Sequence, residues 1–328
     1  MSHSFKIDSS LSNLKFCPGF LLWGLSLLLL TVDAIWLSFI SLRFDFHSLL
    51  FVGGVNSVLA FGAWYYYVKR PRVQFFTLFM GVLYLSLITL GIGLLSYCLT
   101  RLALPLHDQT YSAIDQSLGF DWITVVGFIN QNPWFSKILT YAYHSSGLQM
   151  IGLILLLAFT QKFDDLKQFF QLFTLTGLVV IVIAGLFPSV GPYAFYGPSA
   201  EVYSHFSSQA GVWHLEHMSA LREGRMELLN IRDLEGLVSF PSFHTCLALI
   251  TIWCTRHFRY LFPLSLILNL LVIISTIPEG GHYLVDLFGG MAITFVVLVL
   301  LEWKKTWAGS LDGWLQARLS QTLIGSKA

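Results

Sequence analysis

The chain has 328 residues, of which 55% are hydrophobic, 16% aromatic and only 11% charged. Soluble domains carry roughly 25% charge, so this is the composition of an integral membrane protein, with the bilayer as its first partner. A net charge of +1 and the lack of a Lys/Arg stripe exclude nucleic acid as a partner.

Crossing a hydrocarbon core of about 30 Å takes about 20 apolar residues. The first such run, 19 to 41, is longer than a signal-peptide core and is followed by no Ala-x-Ala cleavage site, so it is expected to stay as an anchor. Further runs cover 46 to 68, 73 to 99, 138 to 159, 168 to 187, 260 to 277 and 282 to 301, with a shorter one at about 240 to 255. The expected fold is all-α, a polytopic membrane protein of about eight transmembrane helices whose spans hold two charges, Asp33 and Asp286. Between the third and fourth spans, residues 110 to 132 place Ile114, Leu118, Trp122, Val125, Val126 and Ile129 at roughly helical spacing, which predicts a helix lying in the interface. The loop at 188 to 239 opens on the Phe187-Pro188-Ser189-Val190-Gly191-Pro192-Tyr193 turn, where two prolines and a glycine stop the preceding helix, and is expected to be helical in places after Trp213.

Lys and Arg concentrate in cytoplasmic loops. With the N-terminus inside, thirteen of them (Lys6, Lys15, Lys69, Arg70, Arg72, Lys162, Lys167, Arg256, Arg259, Lys304, Lys305, Arg318 and Lys327) face the cytoplasm against six outside. Both termini are then cytoplasmic, and the 188 to 239 loop shares the outer face with the Gly280-Gly281-His282 turn. The four cysteines, Cys17, Cys98, Cys246 and Cys254, show no metal spacing and read as buried thiols. His205, His214 and His217 have no strand or helix context for a zinc site and read as surface histidines; no metal or other cofactor is expected.

Two polar stretches each open a long apolar run: Ser239-Phe240-Pro241-Ser242-Phe243-His244, and Pro278-Glu279-Gly280-Gly281-His282-Tyr283-Leu284-Val285-Asp286. On a helix, His282 and Asp286 fall on one face about 5 to 6 Å apart. A carboxylate there accepts the Nδ1 proton of the imidazole and leaves the other nitrogen free to attack. A charged residue inside a membrane helix costs about 2.5 to 3.5 kcal/mol on insertion scales and needs a partner, a role that bundle stability alone also explains. His244 opens a second helix beside Pro241 and Ser242, where first-turn N–H groups attract phosphate, and Gly281 lets backbone approach a ligand.

These segments resemble the second and third motifs of the type 2 phosphatidic acid phosphatase superfamily. Pro241, Ser242, Phe243 and His244 match its Pro-Ser-x-His; Ser275, His282 and Asp286 match its Ser-Arg-x5-His-x3-Asp, with Thr276 in place of the Arg. Its first motif, a Lys followed seven residues later by Arg-Pro, is absent from the outer loops. The Phe-Pro-Ser-x-His, Gly-Gly-His-Tyr-x-x-Asp and Phe-Pro-x-x-x-Pro features together are similar to the branch containing inositol phosphorylceramide synthase. The likeness covers about 110 to 300, dividing the chain into N-terminal helices (1–105), a catalytic membrane domain (106–302) and a cytoplasmic tail (303–328).

The resemblance implies a lipid phosphotransferase acting through phosphohistidine, with His282 as nucleophile, Asp286 as its orienter and His244 as the acid and then the base. Ser242, Gly281, Arg222 and Arg225 are the expected phosphate-binding residues, the two arginines standing in for the missing cations. The substrate is a phosphorylated lipid and the acceptor an alcohol or water, with no metal. A plain lipid phosphatase is the near alternative. A transporter is the non-enzyme one, for which Asp33 would serve, but no inverted repeat supports it.

Overall fold

The computed structural model describes residues 18–325, with side chains described through residue 305. Lys6, Lys15, Cys17 and Lys327, and the side chain of Arg318, lie outside the described residues. In chain order the helices are α1 (Phe20–Phe39), α2 (Phe46–Val68), α3 (Val73–Thr100), α4 (Asp108–Ser117), α5 (Trp122–Asn130), α6 (Pro133–Phe159), α7 (Phe163–Leu186), α8 (Pro192–Tyr196), α9 (Leu215–Arg222), α10 (Phe243–Thr255), α11 (Leu261–Ser275) and α12 (Leu284–Gly325). Two strands of two residues each, β1 (Arg43–Phe44) and β2 (Leu228–Leu229), pair in parallel.

Among the described residues six helices are long and apolar enough to cross a membrane: α1, α2, α3, α6, α7 and the Leu284–Lys305 part of α12. The remaining two apolar helices, α10 and α11, have 13 and 15 residues. Caps explain several starts. Asp45 Oδ2 accepts from Ser48 N at 2.7 Å, Asp121 Oδ1 from Thr124 N at 2.7 Å, and Asn132 Oδ1 from Phe135 N at 3.1 Å with Pro133 following. Asn132 and Pro133 start α6 five residues before the apolar run at 138, because a cap and a first-turn proline set the boundary and hydropathy does not.

The 110 to 132 segment is not one helix. Gly119 sits at φ 75, a left-handed conformation that ends α4, and Asp121 caps a new helix, α5. The break turns Trp122 inward, where its side chain is almost fully buried, while Ile114 and Leu118 stay exposed.

The short α10 lies at the centre. It packs against α6, α7, α11 and α12, while α3 joins this group through α6 and α7 and carries α1 and α2 on its other side. Cys246, Ile250 and Cys254 face this core, with Cys98 also buried and free. Expected interhelical bonding appears at Asn269, whose Nδ2 donates to Gln149 Oε1 at 2.9 Å and joins α11 to α6. Asp33 is fully buried in α1 and neither of its carboxylate oxygens is hydrogen-bonded.

One close helix contact depends on a glycine. A Cβ on Gly290 of α12 would lie 2.5 Å from the Ser242 carbonyl oxygen and 3.1 Å from Thr245 Cβ, so α12 meets the start of α10 at backbone distance. Overpacking of this kind costs about 1 to 3 kcal/mol. Gly290→Ala should therefore lower the thermal unfolding midpoint of the protein in detergent micelles, whereas Gly152→Ala, with nothing within 4 Å of the added carbon, should not. Equal midpoints for the two variants would show that the two helices can separate without loss.

Candidate active site

Asp286 is where the two polar stretches meet. Its side chain is completely buried, and Oδ2 takes three donors: His282 Nδ1 at 3.1 Å, Ser239 Oγ at 2.9 Å and the Tyr283 backbone N–H at 3.0 Å. Its backbone carbonyl accepts from Ser242 N at 3.0 Å. The first stretch is thus tied by a side chain and by backbone to the residue that orients the histidine of the second.

His282 does not share a helix with Asp286. α12 begins at Leu284, so His282 lies in the preceding turn, and Asp286 reaches back from the first helical turn. A carboxylate at that position caps its own helix, which brings it to the ring without the i to i+4 geometry the spacing suggested. Trp122 Nε1 donates to the His282 carbonyl at 3.1 Å and holds the turn from the α5 side.

Two carboxylates from α4 complete the frame, and neither was marked by its sequence context. Asp115 Oδ2 accepts from Leu284 N at 2.8 Å and Oδ1 from Val285 N at 2.9 Å, so it caps α12 from another part of the chain. Burial pushes the Asp115 carboxyl up, and the two N–H groups pull it down. Asp108 accepts from Ser189 Oγ at 2.6 Å, from the backbone of Val190 and Gly191, and from Tyr283 Oη at 3.1 Å. Both are seven residues apart on one helix, two turns, which places them on the same face.

His244, in the first turn of α10, stacks on Tyr143 with ring centres 4.2 Å apart. His244 and His282 line one cavity of about 520 Å³ together with His214, Trp213, Tyr143 and Gly280. Away from the histidines the cavity is mostly apolar, walled by Leu85 and Ile92 of α3, Val180 and Ile181 of α7, and Val52 of α2, with Ser86, Thr89, Ser96 and Glu235 also on its lining. A second cavity of about 390 Å³ shares Tyr143, Trp213 and His244 with the first, and its remaining lining includes His144, Ser207, Ser208, Gln209 and Glu279.

Other expected site residues fall elsewhere. Ser242 is fully buried as the cap of α10, its Oγ accepting from Thr245 N at 3.4 Å. Gly281, at φ 64, packs its backbone on Gly211, where an added Cβ would lie 2.7 Å from the Gly211 Cα; Gly280 is the one that lines the cavity. Arg225 is exposed and paired with Glu223 at 2.5 Å. Arg222 is half-buried, its Nη1 without a hydrogen-bond partner, in a separate cavity with Val190, Met218 and Ser219. Burial pulls the Arg222 guanidinium down, opposed by the Asp108 charge. Among the described residues lining the histidine cavity there is no Lys or Arg. Thr276, where the resembled motif has its arginine, is buried with its hydroxyl on the Ile273 carbonyl.

The three loop histidines do not converge. His205 bonds Asn130, His217 bonds the Tyr97 hydroxyl at 2.6 Å, and His214 is buried rather than on the surface. His214 Nε2 has no hydrogen-bond partner. Burial pushes its ring down from 6.5 to about 4, against the opposing pull of the Val190 backbone and the Asp108 carboxylate. The loop folds inward here because Trp213 and His214 precede α9 against the cavity, a placement that no local spacing announces.

A ring held neutral when folded but titrating at 6.5 when unfolded favours the unfolded state as pH falls from 6.5 towards 4. At about 1.4 kcal/mol per unit, the shift corresponds to a few kcal/mol at most. His214→Gln should accordingly lose less stability than the parent between these pH values in denaturant titrations. Parallel curves would mean that the ring is not held neutral.

A family model, that of the PAP2 superfamily, matches residues 109–300, from the first turn of α4 to well inside α12. No curated protein and no solved structure matches the chain. The matched stretch covers more than half of the chain and contains His244, His282, Asp286, Asp115 and both cavities' shared residues. The chain therefore belongs to the PAP2 superfamily, a superfamily of phosphatase-type enzymes.

Proposed function

We propose that the protein is an integral membrane lipid phosphotransferase that works through a phosphohistidine, similar to the branch containing inositol phosphorylceramide synthase. The observation that carries this reading is the His282–Asp286 bond at 3.1 Å on the wall of a cavity that also holds His244 and runs on into apolar space. With Nδ1–H donated to Asp286, the lone pair on His282 Nε2 is free to attack phosphorus. A P–O bond to the leaving alcohol breaks as the P–N bond forms, and His244 gives that oxygen a proton. In the second step His244 takes the proton of the acceptor hydroxyl, whose oxygen displaces His282 from phosphorus. Two in-line displacements replace one, each helped by positioning.

The phosphate oxygens need donors, and the first turn of α10 offers free N–H groups with the positive end of its dipole. In this reading the His214 ring, unpartnered at Nε2 in the same cavity, adds a donor once a phosphate dianion draws a proton onto it. Arg222 contributes its charge from the separate cavity that it lines with Val190. Arg225, engaged by Glu223 at the surface, drops out. The hydrocarbon of the substrate occupies the space between α2, α3 and α7, and the site faces the outer side of the membrane, with both termini in the cytoplasm.

Rapid quenching should trap acid-labile phosphohistidine in the parent and none in His282→Asn. His244→Ala should lose about 10²- to 10⁴-fold, most of it on substrates with poor leaving groups. Full turnover of a natural substrate by either variant would remove the assignment.

Hydrolysis and transfer use the same residues, so the acceptor held in line decides between them. Two cavities meeting at His244 favour a bound alcohol over bulk water. Protein in mixed micelles, given a labelled phospholipid and a panel of alcohols including inositol and a ceramide, should form a phosphodiester lipid faster than it forms a water-derived product. Turnover to water-derived product alone across the panel would establish the phosphatase reading instead.

A further inference from the structure

The smaller cavity has a chemistry that phosphoryl transfer by itself does not require. Glu279, three residues before His282, is buried with its side chain 1% exposed. Oε2 accepts from Thr140 Oγ1 at 2.8 Å and from Ser207 N at 3.4 Å; Oε1 bonds the Ser207 hydroxyl and His144 Nε2, the latter at 3.2 Å. Its backbone carbonyl accepts from Gly211 N at 2.9 Å, so the turn that carries both Glu279 and His282 is fixed to the 207–211 stretch. Among the described residues lining this cavity there is no Lys or Arg.

A carboxylate taken out of water calls for a positive partner. Here both oxygens are already occupied by donors from the protein, and little lone-pair capacity is left for a ligand's hydroxyl groups. His144, the one donor that can carry a charge, pairs with Oε1 from a side chain that is 60% exposed, so the buried carboxylate is the acidic group of this cavity. A phosphate would be repelled by it, and an acyl chain would strand the polar lining. An ammonium group gains from the charge without needing a free lone pair, and the rings of Trp213 and Tyr143 on the same wall suit a cation.

We propose that this cavity binds the ammonium-bearing head group of a phospholipid, with Glu279 as its counter-charge and Trp213 and Tyr143 as its aromatic walls. The proposal rests on the reading of the protein as a phospholipid phosphotransferase. It adds that the lipid is chosen by a cationic head group, which lies beside His244 while the chains lie in the larger cavity.

The test uses the full chain in mixed micelles and separates binding from turnover. In calorimetric titrations, tetramethylammonium chloride should bind saturably where sodium chloride at equal ionic strength does not. Glu279→Gln, which keeps the shape and removes the charge, should weaken that binding at least tenfold. Gln209→Lys places a like charge on the wall at an exposed position, leaves Glu279 in place, and should do the same. With phospholipids of identical chains, kcat/KM for ammonium over glycerol head groups should exceed ten in the parent and fall towards one in Glu279→Gln.

Absence of saturable tetramethylammonium binding, or undiminished binding in Gln209→Lys, overturns the proposal. So does a parent that prefers glycerol or inositol head groups, or a Glu279→Gln that loses all substrates equally. Glu279-dependent binding in a protein that turns over no phospholipid would support the ammonium site and count against the phosphotransferase reading.

Discussion

The N-terminus of α12 is the point on which the site depends. A helix starts with four backbone N–H groups that have no partner within it, and here they must be satisfied inside the protein. Asp115 takes those of Leu284 and Val285, and Asp286 turns back to the N–H of Tyr283. The same Oδ2 of Asp286 receives His282 and Ser239. Losing a cap costs about 1 kcal/mol in ordinary helices. Here the cap also sets the direction of the imidazole, so the cost would fall on geometry as well as on stability. Helix α4 acts as a clip: Asp115 holds the start of α12, while Asp108 holds the Ser189–Gly191 turn and the Tyr283 hydroxyl.

The helices ahead of the matched region are not merely an anchor. Leu85, Thr89, Ile92 and Ser96 of α3, with Val52 of α2, line the cavity that reaches His244 and His282. The cavity is therefore shared along the chain: the PAP2 part, 109–300, carries the histidines, and residues before it shape much of the space beside them. Polar and apolar cavities meet at the stacked pair of Tyr143 and His244, so a lipid's head and chains can lie on different sides of one histidine.

The aromatic residues of the outer segments divide in the same way. Trp122, Tyr143 and Tyr193 are buried against the site, whereas Trp134 and Tyr141 are more than three-quarters exposed. A shared composition thus covers two roles, one in the cavity walls and one on the outside, and only partners such as the His282 carbonyl for Trp122 tell them apart.

Hydropathy alone determined most of the long helices, because a run of apolar residues has one stable state in a bilayer, with its backbone bonds made internally. It placed α2 at Phe46–Val68 and came within a residue of the end of α3, and motif spacing singled out His244, His282 and Asp286. Boundaries set by caps escaped it, as at Asn132 and Pro133, and so did the break at Gly119. Tertiary structure alone decided that His282 stands in a turn with Asp286 reaching back to it. It alone brought Asp108 and Asp115 under α12, buried His214 in the cavity, set Glu279 in a second one and left Arg225 at the surface. The physical reason is one of range. Periodicity and capping act over a few residues along the chain, whereas the partners of the Asp108 and Asp115 carboxylates lie 81 to 175 positions away, and their pairing exists only once the helices have packed.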